Sequence, residues 1–349
     1  MKIVFIVDDD ATNLKVAKNA LDGVYDAYTM ASAQKMFRLL EKITPDIILL
    51  DVEMPEMNGF EALSILKSDE RFKSIPVMFL TAVINPEAET YGFEMGAVDF
   101  LRKPFSPPVL AKRIEAHIET DKLIKQSVQS LRKVYAATIR SLAEIVENRD
   151  KTTGGHIART QRYLAIIINE LMASGVYCDE ISNWNLEVLI PSAQLHDVGK
   201  VTVSDYILNK PGKLSEDEYE IIKNHCTDGE RIIDRIISDA EEDGFLLHAK
   251  IFAATHHEKY NGTGYPRGLK GNDIPLEGRI MALVDVYDAL VSARPYKMPF
   301  GHDRAVDIIK SDSGTHFDPL IVEAFLRVAE DFKKETIRCM TIEASKYTL

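Results

Sequence analysis

The sequence predicts two domains in series: an α/β domain with a doubly wound, parallel five-stranded sheet, followed by an all-α domain. Short apolar runs alternate with amphipathic segments up to about residue 120, the pattern of a parallel sheet covered by helices on both faces. From about residue 130 onward, the apolar periodicity is helical almost throughout. The length of 349 residues agrees with two domains rather than one.

Charge and composition exclude several classes of protein. Acidic residues outnumber basic ones by 54 to 42, so the basic face that a nucleic-acid polymer requires is not expected. The cysteines, Cys178, Cys226 and Cys339, are widely spaced and odd in number, which is typical of thiols in a reducing compartment. The N-terminal apolar run is too short for a signal peptide, and no stretch reaches the roughly 18 apolar residues of a membrane span. We therefore expect a cytoplasmic protein with neither a membrane nor a nucleic-acid polymer as its partner.

Five strands are expected in the first domain. They are KIVFIV, a shorter segment from Asp26 to Met30, DIILL, PVMFL and VDFL. In parallel sheets, functional groups gather just beyond the carboxyl ends of the strands. Those positions hold Asp8, Asp9, Asp51, Thr81 and Lys103. Carboxylates that converge on one point repel each other unless a divalent cation lies among them, and Mg²⁺ suits such an all-oxygen site.

The segments VDDD, LLDVEMPEMNGFE, FLTA and LRKPF resemble, in order and in spacing, the receiver domain of two-component response regulators. The resemblance implies a receiver over residues 1–120 in which Asp51 accepts a phosphoryl group from a cognate histidine kinase. It also implies roles for the neighbouring residues. Asp8, Asp9, Asp51 and the carbonyl of Glu53 would hold Mg²⁺, Thr81 and Lys103 would sense the phosphoryl oxygens, and Phe100 would fill the aromatic switch position. Taken alone, Phe100 is more typical of a core residue than of a switch.

A helical connector is expected over residues 121–148, which contain neither glycine nor proline. Apolar or tolerated residues recur there with the alternating spacing of four and three that marks a heptad seam. These residues are Ile124, Val128, Leu131, Tyr135, Thr138, Leu142 and Ile145. The seam predicts a homodimer through which the first domain signals to the second. In the alternative interpretation, the later half of the helix packs against its own domain. The sequence does not decide between them, since Tyr and Thr are poor seam residues.

Most of the second domain, expected over residues 140–349, is predicted to be helical. The segments LEVLIPSAQLHDVGK, EDEYEIIKNHC, GERIIDRIIS, FLLHAKIFAATHH and RIMALVDVYDALVSA each have the pattern of a helix. A turn-rich insertion is expected near residues 258–275, where Asn261, Gly262 and Gly264 permit tight turns.

Polar residues with metal-binding chemistry interrupt these apolar segments. They are His156, His196, Asp197, His225, His256, His257 and Asp285. A buried imidazole or carboxylate is costly without a partner, and a metal ion is a common one. Seven nitrogen and oxygen ligands are too many for one tetrahedral zinc, and they suit two Mn or Fe ions that share a bridging carboxylate. The other four histidines, His117, His248, His302 and His316, are interpreted as core residues.

The motifs RDKTTGGHIART, LHDVGKVTV, HHEKYNGTGYPRGLKGNDIPLEGRI, VDVYDALVSARPYK and GTHFDP resemble the HD-GYP family over about residues 140–330. Members are all-α, metal-dependent phosphodiesterases that open cyclic di-GMP. The resemblance implies that the seven residues above bind two divalent metals, with Asp197 bridging them. It makes Lys200 the group that stabilises the attacked phosphate, and Arg294 and Lys297 its phosphate-binding partners. Gly264, Tyr265 and Pro266 form the loop that names the family, where Tyr265 faces either the ligand or a partner such as a diguanylate cyclase domain.

One departure from the family pattern concerns metal number. Some members carry Glu four residues before the first histidine, where it helps to hold a third metal, and this chain has Thr152 there. We therefore expect two metals and a weaker second hydrolysis, from pGpG to GMP.

Two other functions stay open from the sequence. One is a weakly active module that acts through partner binding at its GYP loop, and the other is a phosphodiesterase for another dinucleotide such as cyclic GMP-AMP. The complete set of ligands favours an enzyme.

Overall fold

The computed structural model describes residues 1–82, 85–149, 155–239, 244–292 and 298–346. They group into two compact units, Met1–Val134 and Tyr135–Leu349.

The first unit is a parallel five-stranded sheet with helices on its faces. The strands are β1 (Lys2–Val7), β2 (Tyr25–Met30), β3 (Ile47–Asp51), β4 (Val77–Thr81) and β5 (Asp99–Arg102). The helices between them are α1 (Ala11–Leu21), α2 (Ala33–Leu40), α3 (Gly59–Ser68) and α4 (Pro86–Glu94). The strands lie in the order β2-β1-β3-β4-β5, and all neighbours are parallel. This arrangement confirms the predicted doubly wound sheet.

The apolar runs of the central strands explain why they lie inside the sheet. Every residue of β3 and β4 is buried, because both faces of a parallel sheet are covered. Successive side chains point to opposite faces, so Ile48 and Leu50 enter one apolar cluster and Ile47 and Leu49 enter the other. The strand ends are therefore fixed, and the polar residues that follow them reach the same edge of the sheet.

Helix α5 (Pro107–Arg149) runs without a break through the predicted connector. All seven predicted seam residues are exposed, and Leu131 is 70% exposed. A different face of the same helix is buried in the second unit, where Ile139, Ala143 and Val146 are nearly inaccessible to solvent. Ile139 and Ala143 belong to an apolar cluster with Leu195. The later half of the helix thus packs on its own domain and still leaves the seam exposed.

The second unit is helical, as predicted. Its helices are α6 (His156–Ala173), α7 (Cys178–Ile181), α8 (Leu186–Ser192), α9 (Asp205–Leu208), α10 (Glu216–Asp239), α11 (Gly244–Thr255), α12 (Leu276–Val291), α13 (His302–Ser311) and α14 (Pro319–Lys346). Short 3-10 turns cover Ala193–Leu195, Val198–Thr202 and Gly271–Asp273. Three aromatic rings form the centre of the core, where Tyr163 stacks on Phe332 at 4.7 Å and meets Tyr287 edge-on at 5.2 Å. None of the described helices combines the length and the apolar character needed to cross a bilayer.

Three predicted helical segments differ from the structure in their bounds. The segment LEVLIPSAQLHDVGK is not one helix: α8 ends at Ser192 after Pro191, and His196 and Asp197 lie between two 3-10 turns. Proline disfavours the interior of a helix, because it lacks an N–H donor. The segments predicted as two helices around residue 227 are instead the single helix α10, which tolerates Gly229 where the backbone of Gly199 approaches closely.

Candidate functional site

An acidic cluster lies beyond the carboxyl ends of β1 and β3. Asp8, Asp9 and Asp51 each offer a carboxylate oxygen within 4.8 Å of the others. The Lys103 ammonium reaches two of them, at 2.6 Å from Asp8 Oδ2 and 2.7 Å from Asp51 Oδ1. Burial raises the pKa of Asp51, although the hydrogen bond from Lys103 opposes this. The donor set is that of a site for one hard divalent cation, with Lys103 neutralising the carboxylates beside it.

The other predicted receiver residues surround this edge. Glu53 lies in the loop two residues beyond Asp51. Thr81 is buried at the end of β4, and its backbone carbonyl accepts a hydrogen bond from the backbone N–H of Lys103 at 2.8 Å. Phe100 is partly buried, and a Cβ added to Gly92 would lie 2.4 Å from its ring. The glycine thus provides the space that the aromatic ring occupies.

The second unit brings all seven predicted metal-binding residues together. Six of them form two triads, His156 with His196 and Asp285, and His225 with His256 and His257, and the ligand atoms within each triad lie within 4.8 Å of one another. The residues come from five different segments of the chain, so only the fold assembles them.

Asp197 lies between the two triads. Its Oδ2 is 3.3 Å from His196 Nε2, and its Oδ1 is 3.4 Å from His225 Nε2 and 3.6 Å from His256 Nε2. Among the described residues, the buried Oδ1 has no hydrogen-bond partner. A buried carboxylate oxygen without a partner is costly, and a cation shared by the triads would remove that cost.

Three of the histidines are oriented by their own backbone. The Nδ1 atom of each lies within hydrogen-bonding distance of a carbonyl oxygen three or four residues earlier: His196 to Ala193 at 2.8 Å, His225 to Ile222 at 2.6 Å and His256 to Phe252 at 2.9 Å. A donor at Nδ1 places the lone pair on Nε2, the atom that faces the neighbouring triad residues. These three side chains are therefore prepared to bind metal through Nε2.

Burial favours the neutral form of two histidines of the second triad. It lowers the pKa of His225 to about 4 and holds the pKa of His257 well below its ordinary value. Burial also opposes ionisation of Asp197, yet the nearby ammonium charge of Lys200 helps to bring its pKa well below the usual range. Neutral imidazoles around an ionised carboxylate are the protonation states that divalent metals require of their ligands.

A buried ion pair that was not predicted from the sequence supports the first triad. Asp288 Oδ2 lies 2.8 Å from His156 Nδ1, and Asp288 Oδ1 accepts a hydrogen bond from Arg159 Nε at 2.7 Å. Burial would lower the pKa of His156, but Asp288 raises it to about 9. A sequence signal existed for both residues. Asp288 lies three residues after Asp285, and Arg159 lies three residues after His156, so each pair shares one face of its own helix.

Glu147 is a second residue that the sequence did not indicate. Its Oε1 accepts a hydrogen bond from the His156 backbone N–H at 3.0 Å, and burial raises its pKa. The carboxyl group belongs to the last turns of α5, so this helix contacts the first metal triad directly.

The triads open into a cavity of about 290 Å³. Its lining includes His156, Asp197, Lys200, Ile222, Tyr265 and Ser292. Lys200 Nζ lies 2.8 Å from Asp197 Oδ2, so an ammonium group stands beside the bridging carboxylate. A cavity of this kind, with convergent charged groups and apolar walls, suits part of an anionic ligand.

The predicted turn-rich loop is anchored beside the second triad. The buried Glu258 carboxylate accepts hydrogen bonds from the backbone N–H groups of Arg267, at 2.8 Å, and Leu269, at 3.0 Å. At Gly264 a Cβ would lie 2.2 Å from the Lys259 nitrogen, so only glycine fits. The Tyr265 ring then lies 4.8 Å from that of His257, and Pro266 follows it. Glu258 was missed, although it follows the histidine doublet directly.

Three predicted residues lie outside the described part of the chain. Arg294 and Lys297, the predicted phosphate-binding pair, fall in 293–297, and Thr152 falls in 150–154. The four histidines interpreted as core residues are all partly buried, and each has a partner outside the cavity. His117 meets Asp99, His248 meets Glu277, His302 meets Tyr287 and His316 stacks on Phe317.

Two family models match the chain. A response regulator receiver domain covers residues 4–115, and an HD domain covers residues 140–321. A protein of Vibrio cholerae named probable cyclic di-GMP phosphodiesterase is 39% identical over 94% of this chain and 78% of its own length. The cyclic di-GMP phosphodiesterase response regulator RpfG of Xanthomonas campestris is 31% identical over 93% of this chain and 87% of its own.

A further relative is named for a different substrate. The 3'3'-cGAMP-specific phosphodiesterase 2 of Vibrio cholerae is 37% identical over 58% of this chain and 36% of its own length.

Proposed function

This chain belongs to the family of response regulators in which a receiver domain precedes an HD-GYP domain, a metal-dependent phosphodiesterase, and from that premise we propose that it hydrolyses cyclic di-GMP to pGpG under the control of phosphorylation at Asp51. The observation that carries the proposal is the position of Asp197, whose two oxygens face the two separate triads. The names of relatives that align over almost the whole chain support the substrate.

The ligand set fits two divalent ions, for which nitrogen and oxygen donors favour Fe or Mn. His156, His196 and Asp285 would hold the first ion, and His225, His256 and His257 the second, with Asp197 shared between them. When bound, such a pair supplies an activated water and balances negative charge on the phosphate. The backbone carbonyls and Asp288 orient the histidines, so their geometry would need little reorganisation on binding.

Lys200 is proposed as the catalytic cation of the chain. Asp197 holds its ammonium group at 2.8 Å, at the wall of the cavity. A positive charge fixed there stabilises the charge that grows on the phosphate oxygens, and its proton can pass to the departing 3′ oxygen. Arg294 and Lys297 are proposed to bind the phosphates, and Tyr265 to form the wall beside His257.

The receiver unit is proposed to take a phosphoryl group on Asp51 from a cognate histidine kinase. Asp8, Asp9, Asp51 and the Glu53 carbonyl would bind the Mg²⁺ that this transfer requires. Lys103 already contacts two of these carboxylates, so it is placed to bind an incoming phosphoryl oxygen. Thr81 and Phe100 are the proposed residues that respond to phosphorylation.

A homodimer through α5 is also proposed. The seven exposed seam residues support it, because an apolar heptad stripe is normally covered by a second helix. A diguanylate cyclase domain is a proposed partner for the GYP loop. Asn261 and Arg267 are exposed there, whereas Tyr265 is partly buried. The loop therefore offers a partner its polar rim rather than its tyrosine.

A cyclic GMP-AMP phosphodiesterase is the second candidate function. The 37% identity to a relative named for that substrate favours it. The described charged groups of the cavity are suited to phosphate, which both dinucleotides contain. Discrimination between guanine and adenine therefore requires a direct comparison of substrates.

The decisive experiment is anaerobic purification with metal analysis, followed by chromatography of products from cyclic di-GMP and 3'3'-cGAMP. We expect two metals per chain, pGpG as the main product and little onward cleavage to GMP. An Asp197→Ala variant should lose turnover, whereas Asp179→Ala, at an exposed position of the same unit, should retain it. Hydrolysis of 3'3'-cGAMP alone would establish the second candidate, and hydrolysis of neither would leave the partner-binding function.

A further inference from the structure

The last described residue of α5 is joined to the segment that follows Lys200. The Arg149 guanidinium donates hydrogen bonds to the carbonyls of Val201 and Val203, both at 3.0 Å. It also contacts Asp205 Oδ1 through Nε at 3.1 Å and Nη2 at 2.9 Å. Farther along, the Asn209 side chain donates to the Arg149 carbonyl at 2.9 Å. One arginine thus binds residues 201–209 at four points.

The same segment is held from its other side by α10. A Cβ added to Gly199 would lie 1.9 Å from the His225 carbonyl oxygen, so the two backbones are in direct contact. The Thr202 hydroxyl donates to Asp228 at 2.9 Å. The 3-10 turn Val198–Thr202, which contains Lys200, is therefore fixed between α10 and Arg149.

The contacts of Arg149 fix the position of the segment that follows Lys200. A guanidinium is planar and presents its donors in a rigid fork, so it fixes the two carbonyls relative to each other and to α5. The Val203 N–H in turn bonds to the Lys200 carbonyl at 3.1 Å. Lys200 is thus one hydrogen bond away from a residue that Arg149 holds, and its ammonium contacts the bridging Asp197.

We propose that Arg149 is a positioning residue that acts through Lys200. It holds the lysine ammonium in register with Asp197, so the position of the last turn of α5 sets the turnover number. Displacements of about 1 Å in a catalytic group commonly cost about a hundredfold in rate, which makes such a link effective. The inference rests on the proposed function only in requiring phosphodiester hydrolysis at the metal centre, and it does not depend on the natural substrate.

A double-mutant cycle tests this inference. The metal-loaded, full-length protein is assayed on bis(p-nitrophenyl) phosphate as wild type, Arg149→Gln, Lys200→Met and the double variant. We expect Arg149→Gln to lower kcat about tenfold and to change KM by less than about twofold, with two metals retained. In the Lys200→Met background, Arg149→Gln should lower kcat by less than about twofold, because the effects of residues that act together are not additive. The control is Arg140→Gln, at an exposed position of the same helix, which should not alter kcat.

Additive effects in the two backgrounds would overturn the inference, because Arg149 would then act independently of Lys200. Loss of metal from Arg149→Gln but not from Arg140→Gln would overturn it as well, since that is the mark of a purely structural role. Arg149→Lys is the second variant. It keeps a cation beside Asp205 without the fork, and it should give an intermediate kcat with the same dependence on Lys200. Wild-type protein that cleaves the aryl ester but not cyclic di-GMP would refute the proposed substrate and leave this cycle valid.

Discussion

The Oδ1 atom of Asp197 lies 3.4 Å from the Nε2 atom of His225. The other oxygen of this carboxylate faces the opposite triad, so one side chain joins both halves of the cavity. A carboxylate that faces imidazoles on both sides accounts for the proposed two-metal chemistry.

Replacing Asp288 with Asn should weaken metal binding at the first triad by about 10- to 100-fold, the usual effect of removing a carboxylate that orients a ligating histidine. His156 would lose its charged partner and Arg159 would keep a neutral one. Titration with Mn²⁺, with activity as the second readout, measures the change. Excess Mn²⁺ should restore turnover. Asp307→Asn, at an exposed position, is the control, and equal affinities in the two variants would disprove the role of Asp288.

Asp51→Asn should take up no phosphoryl group from acetyl phosphate in the presence of Mg²⁺. The amide cannot form the acyl phosphate, although the Lys103 contact is available to it. Phosphate-affinity electrophoresis of the intact protein measures incorporation. The control is Asp69→Asn, which changes a carboxylate paired with Arg71 in the same unit. This variant should incorporate as much of the phosphoryl group as the wild type does. Labelling of the Asp51 variant at the wild-type level would contradict the assignment.

Leu131→Glu should convert a dimer into a monomer, because it places a charge in the proposed seam, where Leu131 is 70% exposed in the single chain. Leu123→Glu is a matched control, since Leu123 is exposed on the same helix but lies outside the seam. Sedimentation over a range of protein concentrations measures whether each variant is a dimer or a monomer. A wild-type protein that sediments as a monomer at every concentration, with and without beryllium fluoride, would eliminate the dimer.

His316 should make the stability of the protein fall in mild acid. Burial lowers its pKa to about 4, below the ordinary value near 6.5, so the unfolded chain binds the proton more readily. The contribution of this histidine is fully present above pH 6.5 and is lost as the pH falls toward 4. The difference in unfolding free energy between wild type and His316→Gln, from urea titrations at pH 7 and pH 5, should therefore shrink at pH 5. A constant difference would show that His316 does not titrate in this range.

The sequence predicted the parts of the site that follow from local rules. Asp51 and Thr81 lie at strand ends, and a parallel sheet brings such ends to one edge. The seven metal-binding residues were predicted from residue chemistry and family motifs, although only the fold shows that six of them form two triads and which histidine lies in which. That division depends on contacts between distant helices, which local periodicity does not contain.

The residues that the sequence missed act through tertiary contacts. Glu258 bonds to backbone groups of a loop nine and eleven residues away, and Asp288 pairs with Arg159 across 129 positions. The helix predicted around His196 failed for a related reason. Its first part ends just after Pro191, and beyond Asp197 the backbone is shaped by the close approach of Gly199 to α10, which overrides the apolar pattern of the segment.

Anomalous diffraction from crystals grown with Mn²⁺ tests the central claim most directly. We predict two peaks on either side of the Asp197 carboxylate, one among His156, His196 and Asp285 and the other among His225, His256 and His257. A single peak, or manganese bound away from Asp197, would contradict the proposed two-metal phosphodiesterase.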